Sequence, residues 1–216
     1  GKANRELVTA MSHDLRTPLT SLLGYVDILQ MGKEEDSKKQ EKYLNSIRDK
    51  AYRIKELSDQ LFEYFIVYGR EREALEKEEV NGAEFLGQIV EESLFDMESG
   101  GFDIRRSSDE INCRLLADIN LCRRVFGNIF SNLLKYADRN RPVTVSYEQR
   151  EDCLIICFGN YVAEDAEAKE STGIGLKTCA KIIEDHGGSF YSGQKDGFFL
   201  TQISFPFIHS KKGPEN

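Results

Sequence analysis

The first 70 residues carry an apolar pattern with steps of three and four residues, which is the period of an amphipathic helix. A polar break at residues 32–37 divides this pattern into two segments. Their apolar positions are Val8, Met11, Leu15, Leu19, Leu22, Val26 and Leu29, and then Leu44, Ile47, Ala51, Ile54, Leu57, Leu61 and Phe65. We predict two long helices joined by a short polar loop, which together make an antiparallel helical hairpin over residues 1–70.

Two helices bury little apolar surface by themselves. The pattern therefore predicts a homodimer in which two hairpins form a four-helix bundle with coiled-coil-like packing. No apolar run approaches the roughly 20 residues needed to cross a bilayer. Because the helical pattern starts with the first residues, we expect a fragment of a longer protein, with no membrane contact of its own.

The pattern changes after residue 70. A charged stretch, residues 71–79, predicts a linker, and residues 80–216 predict a second domain. Helix patterns there cover 82–98, 119–137 and 174–186, and strand patterns cover 102–106, 112–117, 143–149, 154–158, 189–193 and 198–205. The fold class predicted for the whole chain is α+β, with the hairpin followed by an α/β sandwich that packs helices on one face of a mixed sheet.

Charge and cysteine content exclude several functions. The formal net charge is −8 and no basic stripe is present, which argues against nucleic acid as a partner. The five cysteines form no C-x-x-C pair, so neither a zinc site nor a disulfide framework is indicated. This cysteine usage fits a reducing cytosol.

A histidine in the first helix has an unusual setting. Heptad numbering from Val8 places His13 on the solvent face, with Asp14 beside it and Thr17 one turn further on the same face. Pro18 removes a helical hydrogen bond and is expected to bend the helix. A neutral imidazole is a good nucleophile near pH 7, and a neighbouring carboxylate can fix its tautomer. Taken alone, a surface histidine without a role is the favoured interpretation.

The run from Ser12 to Leu19 closely resembles the phosphoacceptor box of sensor histidine kinases, S-H-E/D-L-R-T-P-L. The resemblance implies that His13 accepts phosphate from ATP and passes it to an aspartate of a response-regulator receiver domain. It also implies that Asp14 is the general base. Asp14 and Thr17 together match the phosphatase motif of the family, D/E-x-x-T/N.

A second group of polar residues lies on the helix predicted at 119–137. Asn128 and Asn132 share one face, and amide oxygens can bind Mg²⁺ that bridges phosphates. Lys135 can meet phosphate oxygens as a point charge. Alone, these asparagines would be polar surface residues. With Tyr136 they resemble the N box of the same kinases, N-L-L-x-N-A-x-K-Y, which implies an ATP and Mg²⁺ site.

A glycine-rich segment precedes the helix predicted at 174–186. Gly173, Gly175 and Leu176 lie in the run Thr-Gly-Ile-Gly-Leu, where exposed N–H groups at a helix start can bind phosphate. Such a G-x-G alone is weak support. The run and the following His-Gly-Gly resemble the family's G2 box, so the resemblance spans about residues 5–207. It implies the nucleotide-binding fold shared with Hsp90, gyrase and MutL.

The chain departs from the family at one box. Where D-x-G-x-G is expected, Asn160 takes the place of the aspartate that accepts a hydrogen bond from adenine, and Val162 replaces the first glycine. An asparagine oxygen accepts a weaker hydrogen bond than a carboxylate. The lid that follows, residues 163–170, is short and contains one cation, Lys169. The altered box leaves open how tightly ATP binds.

We therefore expect an ATP-dependent protein-histidine kinase, also active as a regulator phosphatase, from the cytoplasmic portion of a membrane-bound sensor. One alternative is a signalling scaffold with a degenerate nucleotide site, or a phosphatase-biased kinase with weak ATP binding. Another is a relative of the Hsp90 and gyrase ATPases, but these lack a hairpin that carries a histidine.

Overall fold

The computed structural model describes residues 2–32, 36–69, 75–164 and 173–208. The chain divides into two units, Gly1–Arg70 and Glu71–Asn216. The first consists of helices, and the second combines helices with strands. None of the helices in the described part of the chain has the length and apolar composition that a membrane span requires.

Two long helices form the first unit, α1 at Lys2–Gln30 and α2 at Ser37–Gly69. The two helices pack against each other, and Tyr25 of α1 stacks on Tyr43 of α2 with ring centroids 5.5 Å apart. Their apolar stripes explain this packing, because each helix has one apolar face to bury. The predicted helical hairpin is confirmed.

The polar break between the helices has clear stop and start signals. Gly32 follows the end of α1 with a φ of +61°, a backbone conformation that favours glycine. At the start of α2, the Asp36 carboxylate accepts the N–H of Lys38 at 2.9 Å, which is a side-chain cap. The second helix therefore begins at Ser37, the last residue of the predicted break. Residues 33–35 lie outside the described part.

The second unit contains a five-stranded mixed sheet and a separate two-stranded one. The strands in chain order are β1 Glu78–Asn81, β2 Ile104–Ser108, β3 Arg114–Ala117, β4 Val143–Gln149, β5 Cys153–Tyr161, β6 Ser189–Lys195 and β7 Phe198–Pro206. The large sheet has the order β2-β4-β5-β7-β6, in which β2 and β4 are parallel and the other pairs antiparallel. The small sheet pairs β1 with β3, also antiparallel.

The helices of this unit are α3 Gly82–Leu86, α4 Glu92–Ser99, α5 Ile119–Tyr136 and α6 Ile174–Asp185, with a π-helical segment at Gly87–Glu91. The helix predicted at 82–98 is therefore interrupted in its middle by one π-helical turn. Apolar periodicity does not distinguish an α-helical turn from a π-helical one, so the pattern could not predict the interruption.

The core lies between the sheet and these helices. Alternate strand residues are buried on the helix side, among them Val145 of β4, Ile156 of β5 and Ile203 of β7. In α5, Phe126 meets Phe158 of β5 edge to face, with ring centroids 6.2 Å apart. Burial of each such ring contributes about 1.5–3 kcal/mol. The predicted sandwich of helices on a mixed sheet is confirmed.

The predicted boundary near residue 80 differs from the structure. Strand β1 begins at Glu78, so the last two residues of the stretch predicted as a linker, 71–79, belong to a strand. Glu78 pairs with Ala117 across the small sheet. The high charge of this stretch led to the error, because an exposed edge strand tolerates charged side chains. Residues 70–74 lie outside the described part.

Backbone geometry requires the two glycines of the His-Gly-Gly segment after α6. Gly187 has a φ of +81° and its N–H bonds the carbonyl of Glu184 at 2.8 Å. A β-carbon on Gly188 would lie 1.9 Å from the carbonyl oxygen of Ser204 in β7, which no side chain can accept. The predicted glycine stop at the end of this helix is confirmed.

Candidate functional site

In the hairpin, the His13 side chain is solvent-facing, with 78 % of its surface exposed. Its Nδ1 lies 3.6 Å from Oδ1 of Asp14, an ion-pair distance rather than a hydrogen bond. The Asp14 side chain is 39 % exposed and therefore partly covered. An imidazole whose Nδ1 faces a carboxylate presents Nε2 to solvent, which is the geometry of an accessible nucleophile.

Thr17 and Pro18 shape the helix just after this histidine. The Thr17 hydroxyl donates to the backbone carbonyl of His13 at 3.3 Å. Because Pro18 lacks an N–H, the carbonyl of Asp14 has no helical donor one turn later. Helix α1 continues through the proline, and the bend that we predict there stays a prediction.

In the second unit, the structure brings Asn128 of α5 next to Gly175 of α6. A β-carbon on Gly175 would lie 3.6 Å from both Cγ and Oδ1 of Asn128, in ordinary van der Waals contact. The amide nitrogen Nδ2 of Asn128 is buried and finds no hydrogen-bond partner among the described residues. A buried amide donor without an acceptor costs about 1–3 kcal/mol, and a ligand that brings acceptor oxygens would offset this.

The start of α6 is set by Gly173, which caps the helix with a φ of +66° and ψ of 0°. A residue with a side chain is strained in this conformation by about 1–2 kcal/mol. Leu176 lies half-buried in the first turn of α6. The first N–H groups of a helix have no helical partner and attract anions. Residues 165–172, which include the preceding Ser-Thr pair, lie outside the described part.

The C-terminal end of α5 is tied to the end of β5. The N–H of Asp138 bonds the carbonyl of Tyr161 at 2.8 Å, and the N–H of Ala163 bonds the carbonyl of Tyr136 at 2.9 Å. The Lys135 ammonium lies 5.3 Å from the centroid of the Tyr136 ring. Asn132 lies half-buried one turn before Lys135, on the same helix as Asn128. These contacts fix the start of the predicted lid, of which only residues 163–164 are described.

Asn160 lies inside β5, paired with Phe199 of β7, and is only 4 % exposed. Its Nδ2 donates to the carbonyl of Tyr161 at 3.1 Å, so the amide orientation is set by the local backbone. Oδ1 receives no hydrogen bond from the described residues. A buried side-chain acceptor at a strand end is suited to a donor on a ligand.

Two buried residues were missed as functional candidates by sequence reasoning. Asp118 caps the N-terminus of α5, where its carboxylate accepts the N–H of Leu121 at 3.1 Å. The backbone N–H of Asp118 donates in turn to Nε2 of His186 at 2.9 Å. His186 was noticed only as part of His-Gly-Gly. The sequence signal for this pair was the histidine directly before the glycines that end α6. It did not reveal the contact, because Asp118 is 68 residues away in sequence.

Comparisons with known proteins agree with this architecture. A family model of the His Kinase A (phospho-acceptor) domain matches residues 3–65. The sensor histidine kinase YrkQ of Bacillus subtilis is 30 % identical over 202 residues, covering 94 % of this chain and 46 % of YrkQ. The sensor protein VanS of Enterococcus faecium is 26 % identical over 219 residues, covering 93 % and 56 %. The chain thus spans about half the length of these relatives.

Solved structures share the fold. The histidine kinase ThkA, crystallised in complex with response regulator protein TrrA, matches with a TM-score of 0.71 at 23 % identity, covering 94 % of this chain and 61 % of ThkA. AdeS of Acinetobacter baumannii matches at 0.62 and 17 % identity, covering 91 % and 98 %. ShkA in complex with AMPPNP matches at 0.58 and 19 % identity, covering 95 % and 46 %. At these identities the likeness establishes the fold alone.

The fold defines a class of proteins in which a phospho-acceptor helical hairpin precedes an α/β sandwich with a mixed sheet. The exposed histidine of the hairpin falls inside the matched phospho-acceptor segment. The matched phospho-acceptor domain, the similarity to sensor histidine kinases over 93–94 % of this chain and the shared fold together support a histidine kinase core.

Proposed function

We propose that this chain is an ATP-dependent protein-histidine kinase that phosphorylates itself on His13 and passes the phosphoryl group to an aspartate of a response-regulator receiver domain. The observation that carries the proposal is the exposed imidazole of His13, with Nδ1 facing Asp14 at 3.6 Å, inside the matched phospho-acceptor segment. The second unit supports it through the amide nitrogen of Asn128 beside Gly175, which is buried and has no partner among the described residues.

In the proposed reaction His13 is the nucleophile and Asp14 is the general base. Nε2 of His13 attacks the γ-phosphorus, and the new N–P bond replaces the P–O bond to the leaving ADP. The proton on Nδ1 faces the carboxylate of Asp14, which takes it up and neutralises the ring. Asp14 is therefore the general base of the proposed reaction.

Asn128 and Asn132 are the proposed ligands of Mg²⁺, through their amide oxygens, and their positions one turn apart on α5 support this. The start of α6, after Gly173, is the proposed phosphate site because the N-terminus of a helix favours anions, and Lys135 adds a positive charge. Magnesium held by the two asparagine amides would supply positive charge to neutralise the phosphates. A β-carbon at position 175 would be in ordinary van der Waals contact with Asn128, 3.6 Å away, and the glycine is proposed to leave room for the phosphates.

Asn160 is the proposed acceptor for the adenine amine. Its Nδ2 is held by the Tyr161 carbonyl, so Oδ1 is the atom left to accept. Because this oxygen carries no full charge, its hydrogen bond is weaker than that of an aspartate. Nucleotide affinity is therefore expected to be lower than that of a matched variant with aspartate at this position.

Exposed apolar side chains on the hairpin support a homodimer. On α1 these are Leu19 and Leu23, one turn apart, and on α2 they include Tyr52, Phe62 and Phe65. Several large apolar side chains exposed on the same two helices favour an interaction site. Packing of two hairpins into a four-helix bundle buries it, with a seam like that of a coiled coil.

The proposed protein partner is a response-regulator receiver domain. The histidine kinase ThkA, which shares this fold, was crystallised with a response regulator. His13 is open to such a partner because most of its side chain is exposed. We place this core in the cytoplasmic portion of a longer, membrane-bound sensor, since ATP is a cytoplasmic substrate and the sensor relatives are about twice as long.

The experiment that tests the kinase proposal is labelling with γ-³²P ATP and magnesium, followed by acid or alkali. We expect a label that survives alkali and is lost in acid, as phosphohistidine does. The alternative, a scaffold with a degenerate nucleotide site, is favoured by the substitutions at Asn160 and Val162. It predicts no label and no binding of AMPPNP, and that pair of results would refute the kinase proposal.

The proposed phosphatase activity rests on Thr17, whose hydroxyl lies on the solvent-exposed face one turn after His13. Thr17→Ala is expected to slow dephosphorylation of the phosphorylated regulator by about 10-fold or more, because the hydroxyl that orients water is lost. Autophosphorylation is expected to change by less than about twofold. Regulator phosphate is followed over time with each variant. Thr20→Ala, exposed on the same helix, is the control, and equal rates for both variants would contradict this role.

A further inference from the structure

His186 occupies a buried position at the C-terminal end of α6 and is 4 % exposed. Its Nδ1 lies 2.7 Å from the carbonyl oxygen of Ile182, and its Nε2 lies 2.9 Å from the backbone nitrogen of Asp118. A carbonyl only accepts and a backbone N–H only donates. The ring is therefore neutral, with its proton on Nδ1 donated to Ile182 and with Nε2 accepting from Asp118.

The contact between His186 and Asp118 is the first of three that hold α6 antiparallel to α5. The second is the thiol of Cys179, which donates to the carbonyl of Val125 at 3.6 Å. The third is the proximity of Gly175 to the Asn128 amide, from which an added β-carbon would lie 3.6 Å away. From one contact to the next, the residue number increases in α5 and decreases in α6 by nearly the same amount, as expected for antiparallel helices. The two helices thus share one register, from Asp118 and His186 at one end to Gly175 near the other.

We infer that His186 is a positioning residue for the nucleotide site. In its neutral form it holds the C-terminal end of α6 to the N-terminal end of α5, and so it fixes the spacing between Asn128 and Gly175. This inference rests on the proposed function, because it assumes that nucleotide binds against these two residues. His186 itself lies about 16 Å along α6 from Gly175, at 1.5 Å per residue, and has no direct part in the chemistry.

Protonation disrupts this contact. A proton on Nε2 would point at the Asp118 N–H, so two donors would face each other and the helix ends would have to separate. Because α6 is a rigid element about 16 Å long over this span, a rotation of about 4° displaces its far end by about 1 Å. A displacement of about 1 Å can lower the rate of a reaction by about 100-fold.

The surroundings of His186 oppose protonation. Burial is the main cause that lowers its pKa below 6.5, and Lys77 adds to this, while the backbone bond to Ile182 and the charges of Asp118 and Asp185 act in the opposite direction. The charged and titratable groups that face the ring are Asp118 and Cys122 of α5, Asp185 of α6 and Lys77 before β1. Lys77 also donates to the carbonyl of Asp185 at 3.0 Å. The fourth neighbour, β7, contributes the uncharged ring of Phe205.

The sign of the pH effect follows from the lowered pKa. Below about pH 6.5 the unfolded chain takes up the proton before the folded chain does, so folding stability falls as the pH decreases. The nucleotide site should lose affinity at lower pH still, as the ring of the folded chain is itself protonated below its lowered pKa and can no longer hold α6 to α5. Above the unfolded-state pKa the contact is fully formed.

The experiment uses the full chain and follows its three histidines by proton NMR from pH 5 to 8, with and without saturating magnesium AMPPNP. The variants His13→Gln and His209→Gln assign the other two signals. We expect the His186 pKa to lie below 6.5 and to fall further on binding. A fall of about one pH unit means that the neutral form binds AMPPNP about 10-fold more tightly than the protonated form. A merely structural histidine would keep its pKa on binding.

Variants give a second readout. His186→Ala is expected to weaken AMPPNP binding at pH 8 by about 10-fold or more, and His186→Gln, which keeps one donor and one acceptor, by less. Both should remove the loss of affinity that accompanies protonation of His186 at low pH, while Glu184→Gln, exposed on the same helix, should retain it. If His186→Ala does not fold, the wild-type titration still decides.

Failure of this inference can be distinguished from failure of the proposed function. Wild-type chain that binds AMPPNP with an unchanged His186 pKa would overturn this inference alone. Wild-type chain that does not bind AMPPNP at pH 8 would overturn the proposed function and this inference with it.

Discussion

Replacement of His13 by Gln is expected to abolish the alkali-stable, acid-labile label that ATP leaves on this chain. The label should fall by about 1000-fold or more, to background, because glutamine has no nucleophilic ring nitrogen. The side chain is 78 % exposed and makes no contact that a glutamine would break in the described hairpin, apart from its approach to Asp14. The unfolding free energy should therefore change by less than about 0.5 kcal/mol.

The matched control for this prediction is Thr20→Gln, which places the same side chain at another exposed position of α1. This control should label like the wild type, and both variants should bind AMPPNP unchanged, since neither alters the second unit. An alkali-stable label that persists in His13→Gln would contradict the assignment of the phosphoacceptor. Such a label would have to lie on His209, because His186 is buried and cannot reach a donor.

The hairpin was predictable because its signals are local. The apolar period of three and four residues indicates two helices, and Gly32 and Asp36 act at the break between them. The exposure of His13 also follows from the same period, which puts it opposite the apolar stripe. The structure bears out both predictions.

The fold class of the second unit was predictable, but the ends of its strands were less so. Strand β5 runs to Tyr161, well beyond the continuous apolar run at 154–158. The pattern did not predict this extension, because Gly159 and Asn160 are not apolar residues. Gly159 is required there, since a β-carbon would lie 2.4 Å from the Phe198 ring. Strand β1 is charged and was taken for a linker, and only its pairing with β3 makes it a strand. Pairing between distant segments leaves no local pattern.

The candidate nucleotide site shows the same limit. That Asn128 and Asn132 share one helix face could be predicted from their spacing. The position of Gly173 at the start of α6 could be predicted from the glycine-rich run before the helix. That Gly175 meets Asn128 depends on how α6 packs on α5, which spacing along one helix does not determine. His186 and Asp118 were missed for this reason, because their contact joins two helices through one ring nitrogen and one backbone N–H.

The second large effect is expected for Asn128→Ala, which should abolish autophosphorylation without weakening the fold. In the free chain the amide nitrogen Nδ2 of Asn128 is buried and unpartnered among the described residues, so its removal takes away a cost of about 1–3 kcal/mol. Alanine also has a higher helix propensity than asparagine, by about 0.5 kcal/mol. We therefore expect the unfolding free energy to stay equal or to rise by about 1 kcal/mol.

Activity should respond in the opposite direction. Loss of the amide removes a proposed Mg²⁺ ligand and the donor that faces the nucleotide, so labelling should fall by about 100-fold or more. Denaturant unfolding and γ-³²P labelling of the same preparation measure both quantities, with Ser131→Ala, exposed on α5, as the control that should change neither. An active Asn128→Ala would remove this residue from the site. A variant that is both inactive and less stable would mean that the amide has a partner in the free protein, and that its role is to hold α5 and α6 together.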